Sequence, residues 1–408
     1  MYNKSVYSSE RMYYTVNEEL LSKFLSLYGG DASDVRMFVS PGRVNMIGEH
    51  TDYNGGYVFP AALEHASHIL VRKTDSGKIR LAATDLPDRV ELDINDLGAY
   101  KDLKWGNYQA GVAYVLQNHG YEICSCDILY HDTVPLGAGL SSSAAIEVVM
   151  ALTLATFSNE AKGITDPVDM IEMAKLSQEA EIVYCGVNCG IMDQFASAMG
   201  RKDQAIFLDC KTLEFKYVPL VLNGYKIVIG NTNKKRGLAD SKYNERRAEC
   251  ESALKQLQVA YPDADCLRAI SVEQFEDAKH LILSEVERRR AEHVIYECDR
   301  VLKSIDALND GDLEAFGQLM TASHISLRDL YEVTGLNLDV MVEESLKVEG
   351  CIGSRMTGAG FGGCTVSIVA DDAVETFIAE VSKNYTERTG FTGSFYISSA
   401  CDGGREVK

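Results

Sequence analysis

Pro135-Leu136-Gly137-Ala138-Gly139-Leu140-Ser141-Ser142-Ser143-Ala144-Ala145 is the stretch around which the rest of this chain is organised. Just before it, residues 123–131 alternate apolar and polar side chains in part and end in turn chemistry, which predicts a strand. Just after it, residues 144–157 are a continuous apolar run of helix formers. Two glycines let backbone N–H groups approach a ligand closely, and three hydroxyls follow at the helix start. A helix N-terminus carries free N–H donors and the positive end of a dipole, so it attracts anions. A serine hydroxyl there also suits Mg²⁺, which keeps few protein ligands and shares phosphate oxygens. The stretch reads as a triphosphate cradle. The bland alternative is a serine-rich cap on a buried helix, and the loop alone does not separate the two.

The 408 residues leave room for two domains and a large core. Hydrophobic content of 46% and charged content of 25% are ordinary for a globular chain. A formal net charge of −20 argues against a nucleic-acid partner, which needs excess Lys and Arg. The acidic balance mainly keeps the chain soluble. Arg288-Arg289-Arg290, the notable basic run, is expected on a solvated helical face. The eleven cysteines show no disulfide-framework spacing. No charged, apolar leader opens the chain, and no apolar run approaches the ~18–20 residues needed to span a bilayer. The expectation is a cytoplasmic protein with reduced thiols and no membrane partner. Cys124-x-Cys126 and Cys185-x3-Cys189 lack a second ligand pair at zinc spacing and are expected in core or loops.

In chain order, residues up to about Leu27 predict an amphipathic helix. A strand-like approach over 35–39 leads into Ser40-Pro41-Gly42-Arg43-Val44-Asn45-Met46-Ile47-Gly48-Glu49-His50-Thr51-Asp52-Tyr53-Asn54-Gly55-Gly56, read as a polar loop with four glycines. Glu49, His50 and Asp52 offer acceptors and a donor within four residues, which suits the hydroxyls of a sugar. An acidic turn with a capping histidine is the plainer alternative; a metal site lacks a third ligand at a diagnostic spacing. Arg43 is either a structural ion pair or a charge stabiliser beside a phosphate or a catalytic carboxylate.

Strands are expected at 69–71 and 90–92, and a helix at 109–118 behind Trp105, whose roles are core packing or lining an adenine pocket. A helix over 166–184 ends with Gln178, Glu179 and Glu181. Glu181 is a surface charge or a ligand completing Mg²⁺ coordination. Asp193 follows Gly190 and precedes an apolar stretch, so it is a helix N-cap or a carboxylate that accepts a proton from an attacking hydroxyl. A strand at 226–229 leads to Asn231 and a polar helix opening at Ser241. Helices with charged faces continue to about Leu330. The change from strand-rich to helix-rich near 205–225 is the expected boundary between domains 1–210 and 211–408.

Gly358, Gly360 and Gly363 literally match G-x-G-x-x-G, but a dinucleotide fold needs a helix after the glycines. Here Thr365-Val366-Ser367-Ile368-Val369 predicts a strand, so the Rossmann reading fails. No G-x-x-x-x-G-K-[ST] occurs in the sequence, which excludes a Walker-type site. The remaining role is a tight turn closing on the other glycine loop and its ligand.

Taken together, Pro-x-Gly-Ala-Gly-Leu-Ser-Ser-Ser-Ala in the middle and Met-Thr-Gly-Ala-Gly-Phe-Gly-Gly near the end resemble the GHMP kinase superfamily. Gly-Arg-Val-Asn-Met-Ile-Gly-Glu-His-Thr-Asp-Tyr-Asn-Gly-Gly looks like the signature of its galactokinase branch. The resemblance spans nearly the whole chain, in the family's motif order. It implies an α+β fold of two mixed α/β domains, the first like ribosomal protein S5 domain 2, the second ferredoxin-like, with the active site in the cleft between them. It implies ATP-dependent phosphorylation of α-D-galactose at the anomeric hydroxyl, giving galactose 1-phosphate and ADP. Carried over by position, Glu49, His50, Thr51, Asp52 and Tyr243 line the sugar site. Gly137, Ala138, Gly139, Leu140, Ser141, Ser142 and Ser143 bind the ATP phosphates. Ser143 and Glu181 hold Mg²⁺, Asp193 is the catalytic carboxylate and Arg43 its charge-stabilising neighbour.

An arginine close to Asp193 favours the ionised carboxylate and makes it a weaker base. Phosphoryl transfer gains chiefly from positioning and charge stabilisation, so Asp193 is expected to orient the hydroxyl and finally accept its proton. The rival readings are a related kinase for N-acetylgalactosamine or arabinose, and a catalytically silent sensor of galactose and ATP. Ser141-Ser142-Ser143-Ala144-Ala145, complete here, speaks against the sensor.

Overall fold

The structure is a computed structural model describing residues 9–135, 138–234 and 239–407. Leu136 and Gly137 of the phosphate loop lie outside the described residues. The chain runs α1 (Ser9–Tyr28), β1 (Arg36–Asn45), β2 (Tyr57–Val58), β3 (Pro60–Lys73), β4 (Lys78–Ala83), β5 (Val90–Asp93), α2 (Gly106–Asn118), β6 (Cys126–Asp132), α3 (Ser142–Ala161), α4 (Met170–Val183) and α5 (Met192–Met199). It continues through β7 (Gln204–Asp209), β8 (Phe215–Pro219), β9 (Tyr225–Asn231), α6 (Ala239–Leu257), α7 (Val272–Ala278), α8 (Glu285–Asn309), α9 (Leu313–Ser326) and α10 (Leu336–Ser345). It closes with β10 (Cys351–Thr357), β11 (Cys364–Ala370), α11 (Val374–Thr389), β12 (Ser394–Ser398) and β13 (Arg405–Val407).

Six strands form the first sheet in the order β13-β1-β3-β6-β4-β5. Successive side chains of a strand point to opposite faces, and the apolar residues divide accordingly. Phe38, Ile69, Val71, Ile128 and Tyr130 pack with α2, α3 and α4. Their neighbours Met37, Leu70 and Leu129 pack with Leu20 and Phe24 of α1. A second sheet, β10-β11-β9-β12, is antiparallel throughout. One face of it packs on α10 and α11 through Val228, Val369, Met341 and Phe377. Ile227, Ile229, Val366 and Ile368 on the other face join Val44, Met46, Ile47 and Phe59 from the first half in one shared core. A third sheet, β2-β7-β8, completes an α+β architecture.

Three expectations change. The strand expected at 35–39 continues to Asn45, and a register shift between Pro41 and Arg43 absorbs the proline's missing N–H, so Arg43 lies on a strand, not in a loop. Arg290 is not on a solvated face. It is buried and paired with Glu249 and Glu332, which lie some forty residues to either side of it. Finally, α3 runs past Phe157 to Ala161, and its 20 residues are long and apolar enough to cross a membrane; 72% of its apolar window is buried inside the molecule. An all-round apolar helix is also what a core position among sheet and helices requires.

Strand pairing ties residues near the chain's end to those near its beginning. β13 pairs with β1 through Met37↔Val407 and Val39↔Arg405, while residues 210–214, around the expected domain boundary, form the turn between β7 and β8.

Candidate active site

Arg43 projects from β1 and is 4% exposed. Its backbone N–H donates to the Leu140 carbonyl at 3.0 Å, and its Nη1 donates to the Gly139 carbonyl at 2.8 Å. Its Nε and Nη2 donate to the two Asp193 oxygens, each at 2.9 Å. The strand and the phosphate loop approach so closely that a Cβ at Gly42 would sit 2.4 Å from the Leu140 carbonyl oxygen. Asp193 is not the N-cap of its helix. Ile191 holds that position in α5, and the Asp193 carboxylate turns to Arg43 and to Ser141, whose hydroxyl donates to it at 2.6 Å. Ser141 has a left-handed φ of +61° and caps α3 without a side-chain cap bond. Its hydroxyl is therefore engaged with the carboxylate, which leaves Ser142 and Ser143 as the half-buried hydroxyls at the helix start.

Two cavities meet at this pair. The smaller, about 440 Å³, is lined by Ser141, Ser142, Ser143, Gly139, Leu140, Trp105, Gln109 and Tyr130 together with Arg43 and Asp193. Trp105, which lines this cavity, also packs against the core of the first half. The larger, about 760 Å³, is lined by Glu49, His50, Asp52, Tyr53, Glu181, Tyr243 and Gly358, and again by Arg43 and Asp193. Ala359, in the third glycine turn, borders both.

The sugar-loop residues differ in what they present. Glu49 is buried, and its Oε2 accepts from Arg355 at 2.8 Å. His50 has a φ of +60°; its Nδ1 lies 2.9 Å from Tyr53 Oη, and its buried Nε2 makes no direct side-chain hydrogen bond. Burial, with His293, Arg246 and Arg355 adding to it, pulls His50 down to about 3, so the ring is neutral. Burial and then the Asp193 carboxylate push Asp52 up to about 7. Tyr243 stacks obliquely on Tyr53, with ring centres 4.6 Å apart. Thr51 does not join them. It is fully buried behind the loop, its hydroxyl shared between the carbonyls of Gly48 and Tyr57 at 2.9 and 2.7 Å. The side chain is occupied with fixing the turn and does not border the cavity.

Sequence reading missed the residues that hold this loop from behind. Glu297 of α8 accepts from the backbone N–H groups of Gly48 and Glu49 at 2.9 and 3.2 Å, and from Arg300 and Ser323. His293, one turn earlier, lies 3.1 Å from the Glu49 carbonyl. Burial opposes the charge on Glu297, but Arg300, His293 and Arg355 outweigh it and hold the carboxyl down at about 2. The local sequence does not mark them out, because Arg290 and Ser304 on the buried side of α8 are polar as well.

Glu181 Oε2 accepts from Gln194 Nε2 at 2.7 Å, and the same nitrogen donates to Glu147 Oε2 at 3.0 Å. Glu147 is fully buried, its Oε1 has no partner, and burial followed by Glu181 raises its carboxyl well above the usual range. Glu181 and Asp193 both line the larger cavity, and a hard cation takes oxygen ligands of this kind. Ser143, which lines the smaller cavity, and Glu181, which lines the larger, carry a hydroxyl and a carboxylate of the type Mg²⁺ takes. No cluster of three or more His, Cys, Asp or Glu poised for a metal occurs among the described residues, and all eleven cysteines are free thiols.

This fold and the paired cavities define a kinase of the GHMP class: residues 107–201 match the GHMP kinases N terminal domain and residues 304–387 the GHMP kinases C terminal. A mevalonate kinase from Methanococcus jannaschii shares the fold, with a TM-score of 0.62 at 19% identity over 90% of this chain and 98% of that one. Residues 22–73 match the galactokinase galactose-binding signature. A galactokinase of Clostridium acetobutylicum is 50% identical over 374 residues, 91% of this chain and 94% of that protein. A Lactococcus lactis galactokinase, crystallised in complex with galactose, superposes with a TM-score of 0.91 at 42% identity, covering 96% of this chain and all of that one. The chain belongs to the galactokinase family.

Two outcomes follow from this geometry. A Cβ at Gly190 would lie 1.9 Å from Asp52 Oδ2, so Gly190→Ala displaces the Asp52 carboxylate and weakens sugar binding about 10-fold or more, measured by calorimetric titration, with little change in melting temperature. Glu297 is held below its unfolded value of 4.5, so its ionisation stabilises the fold above that pH, and the contribution is lost as pH falls toward the folded value of about 2. Urea midpoints at pH 5 and pH 3 therefore fall more steeply for the wild type than for Glu297→Gln.

Proposed function

We propose that this chain phosphorylates α-D-galactose at its anomeric hydroxyl, with ATP as donor, giving galactose 1-phosphate and ADP. The observation that carries this reading is the meeting of two cavities, one walled by sugar-type donors and acceptors, the other by a glycine–serine loop at a helix N-terminus, at a single Arg43–Asp193 pair. In this reading the larger cavity takes galactose, with Glu49, His50, Asp52 and Tyr243 around its hydroxyls. The smaller takes ATP, with its phosphates on Ala138 to Ser143 and its adenine toward Trp105. Domains 1–210 and 211–408 close on the two substrates. The reading also places the enzyme in the cytoplasm, where its free thiols stay reduced.

The anomeric oxygen attacks the terminal phosphorus while the bond to the ADP oxygen breaks, and the anomeric proton passes to Asp193. Both Asp193 oxygens accept N–H bonds from Arg43, and Oδ2 also accepts from Ser141, which fixes the plane of the carboxylate and leaves a lone pair of Oδ1 to orient the sugar hydroxyl. Arg43 and the N–H groups at the start of α3 face the charge that develops on the phosphoryl oxygens. Mg²⁺, held by Ser143 and Glu181, supplies neutralisation of the phosphate charge when bound. Nothing in the comparisons favours a kinase for another sugar or a silent sensor.

The test is ADP release with MgATP against galactose, glucose, N-acetylgalactosamine, arabinose and mevalonate, for the wild type and Asp193→Ala. Fast turnover is expected with galactose. Asp193→Ala is expected to lower kcat by about 10³-fold in a folded protein whose melting temperature falls, since buried Arg43 loses its carboxylate. Preference for another sugar overturns the substrate, and near-full turnover by folded Asp193→Ala overturns the role of the carboxylate.

A further inference from the structure

Beneath the larger cavity runs a chain of hydrogen bonds that the mechanism above does not use. His50 Nδ1 lies 2.9 Å from Tyr53 Oη, Tyr53 Oη lies 2.9 Å from Tyr331 Oη, and Tyr331 Oη lies 3.3 Å from Cys250 Sγ. The four groups come from three separate parts of the fold: the sugar loop, the segment before α10, and α6. Tyr331 and Cys250 are fully buried. Tyr331 ends a π-helical turn, Leu327–Tyr331, and is followed by Glu332 at a φ of +57°. Such widened turns re-aim a side chain at a local backbone cost and recur at functional sites. At the other end of the chain of bonds His50 lines the cavity; its buried Nε2 makes no direct side-chain hydrogen bond, and the backbone of Ala359, which lines the same cavity, acts on the ring as an acceptor.

A neutral imidazole has one donor and one acceptor nitrogen, and the bond made by one nitrogen decides the role of the other. Each hydroxyl in the relay has one proton to give, so all its bonds run in one direction. A phenol is a far stronger acid than a neutral imidazole N–H, and an imidazole nitrogen a far stronger base than a phenol oxygen. The stronger arrangement therefore has Tyr53 donating to Nδ1, Tyr331 donating to Tyr53, and the Cys250 thiol donating to Tyr331. A thiol is a weak partner in either sense and does not reverse the choice. Nε2 then carries the proton and faces the cavity as a donor.

We propose that Tyr331, acting through Tyr53, is a positioning residue that fixes His50 in its Nε2–H form, so that His50 donates to one hydroxyl oxygen of the sugar and makes that hydroxyl a requirement for binding. This deepens the reading of the larger cavity as the galactose site and rests on it. The site's selectivity then depends on a buried phenol that never touches the substrate, because the Nε2–H penalises a ligand lacking the matching oxygen.

The test uses the intact enzyme with ¹⁵N-labelled histidine, galactose, and a set of monodeoxygalactoses that each lack one hydroxyl. The wild-type imidazole is expected to show the Nε2–H pattern in its ¹⁵N shifts, and one deoxy sugar is expected to bind about 10-fold more weakly than galactose. In Tyr331→Phe, and more strongly in Tyr53→Phe, galactose affinity falls toward that of the deoxy sugar. The affinity for that deoxy sugar itself changes less than about 2-fold. Cys250→Ser, which keeps a donor at the end of the relay, retains the wild-type discrimination. A wild-type imidazole protonated at Nδ1 overturns the proposal without needing a variant to fold, as do variants that weaken every sugar alike. Wild type that binds no galactose refutes the functional reading; wild type that binds and phosphorylates galactose with the wrong tautomer refutes only the relay.

Discussion

One guanidinium holds this active site together. Arg43 spends two N–H groups on Asp193, a third on the Gly139 carbonyl and its backbone N–H on the Leu140 carbonyl. A strand, a glycine–serine loop and the first turn of a helix are thereby fixed to one another at hydrogen-bond distance. Only a planar, forked donor set meets a carboxylate edge-on while also reaching a carbonyl; a lysine at the same place provides a point charge without that geometry. The approach also requires Gly42, because a side chain there collides with the loop backbone. The distance between sugar and phosphate cavities is thus set by the covalent geometry of one side chain.

The second half of the chain supplies the backing. Arg355 of β10 donates to the Asn45 carbonyl and to Glu49, and the Asn45 N–H reaches Thr357 Oγ1 at 3.1 Å. Glu297 and His293 hold Gly48 and Glu49 of the same loop. Between β10 and β11, Gly358, Gly360, Gly362 and Gly363 all take positive φ, a turn that brings Ala359 to the border of both cavities. Because Val44, Met46, Ile47 and Phe59 share a core with β9, β11 and α9, both ends of the sugar loop are anchored to the second half. Packed, hydrogen-bonded groups thus join the two sides of the cleft.

Much of this was legible in the sequence, for identifiable reasons. The phosphate loop declared itself by the change from strand periodicity to a helix former run across two glycines and three serines. The β-branched run after Gly363 excluded a Rossmann turn before any coordinates. Arg43, Glu49, His50 and Asp52 stand out as polar residues crowded into one segment, while the catalytic role of Asp193 comes from the family resemblance. What stayed hidden depends on partners distant in sequence. Arg290 reads as a surface charge until Glu249 and Glu332 are placed around it. Thr51 reads as a ligand until its hydroxyl is seen bonded behind the loop. Asp193 has the sequence context of an N-cap, and only the approach of Arg43 and Ser141 removes it from that role. Tyr331 and Glu297 lie in helical stretches whose local pattern carries no mark of what their side chains reach.

The central claim is that Arg43 and Asp193 act as one unit in catalysis, and a double-mutant cycle on kcat tests it most directly: Arg43→Ala, Asp193→Asn and the pair, each measured by ADP release at saturating galactose and MgATP. Residues that act as a unit lose most of their effect with the first substitution. The account predicts that the double variant is slower than the slower single by less than about 5-fold. Losses that multiply, so that the double variant falls by the product of the two singles, would show independent contributions and contradict it.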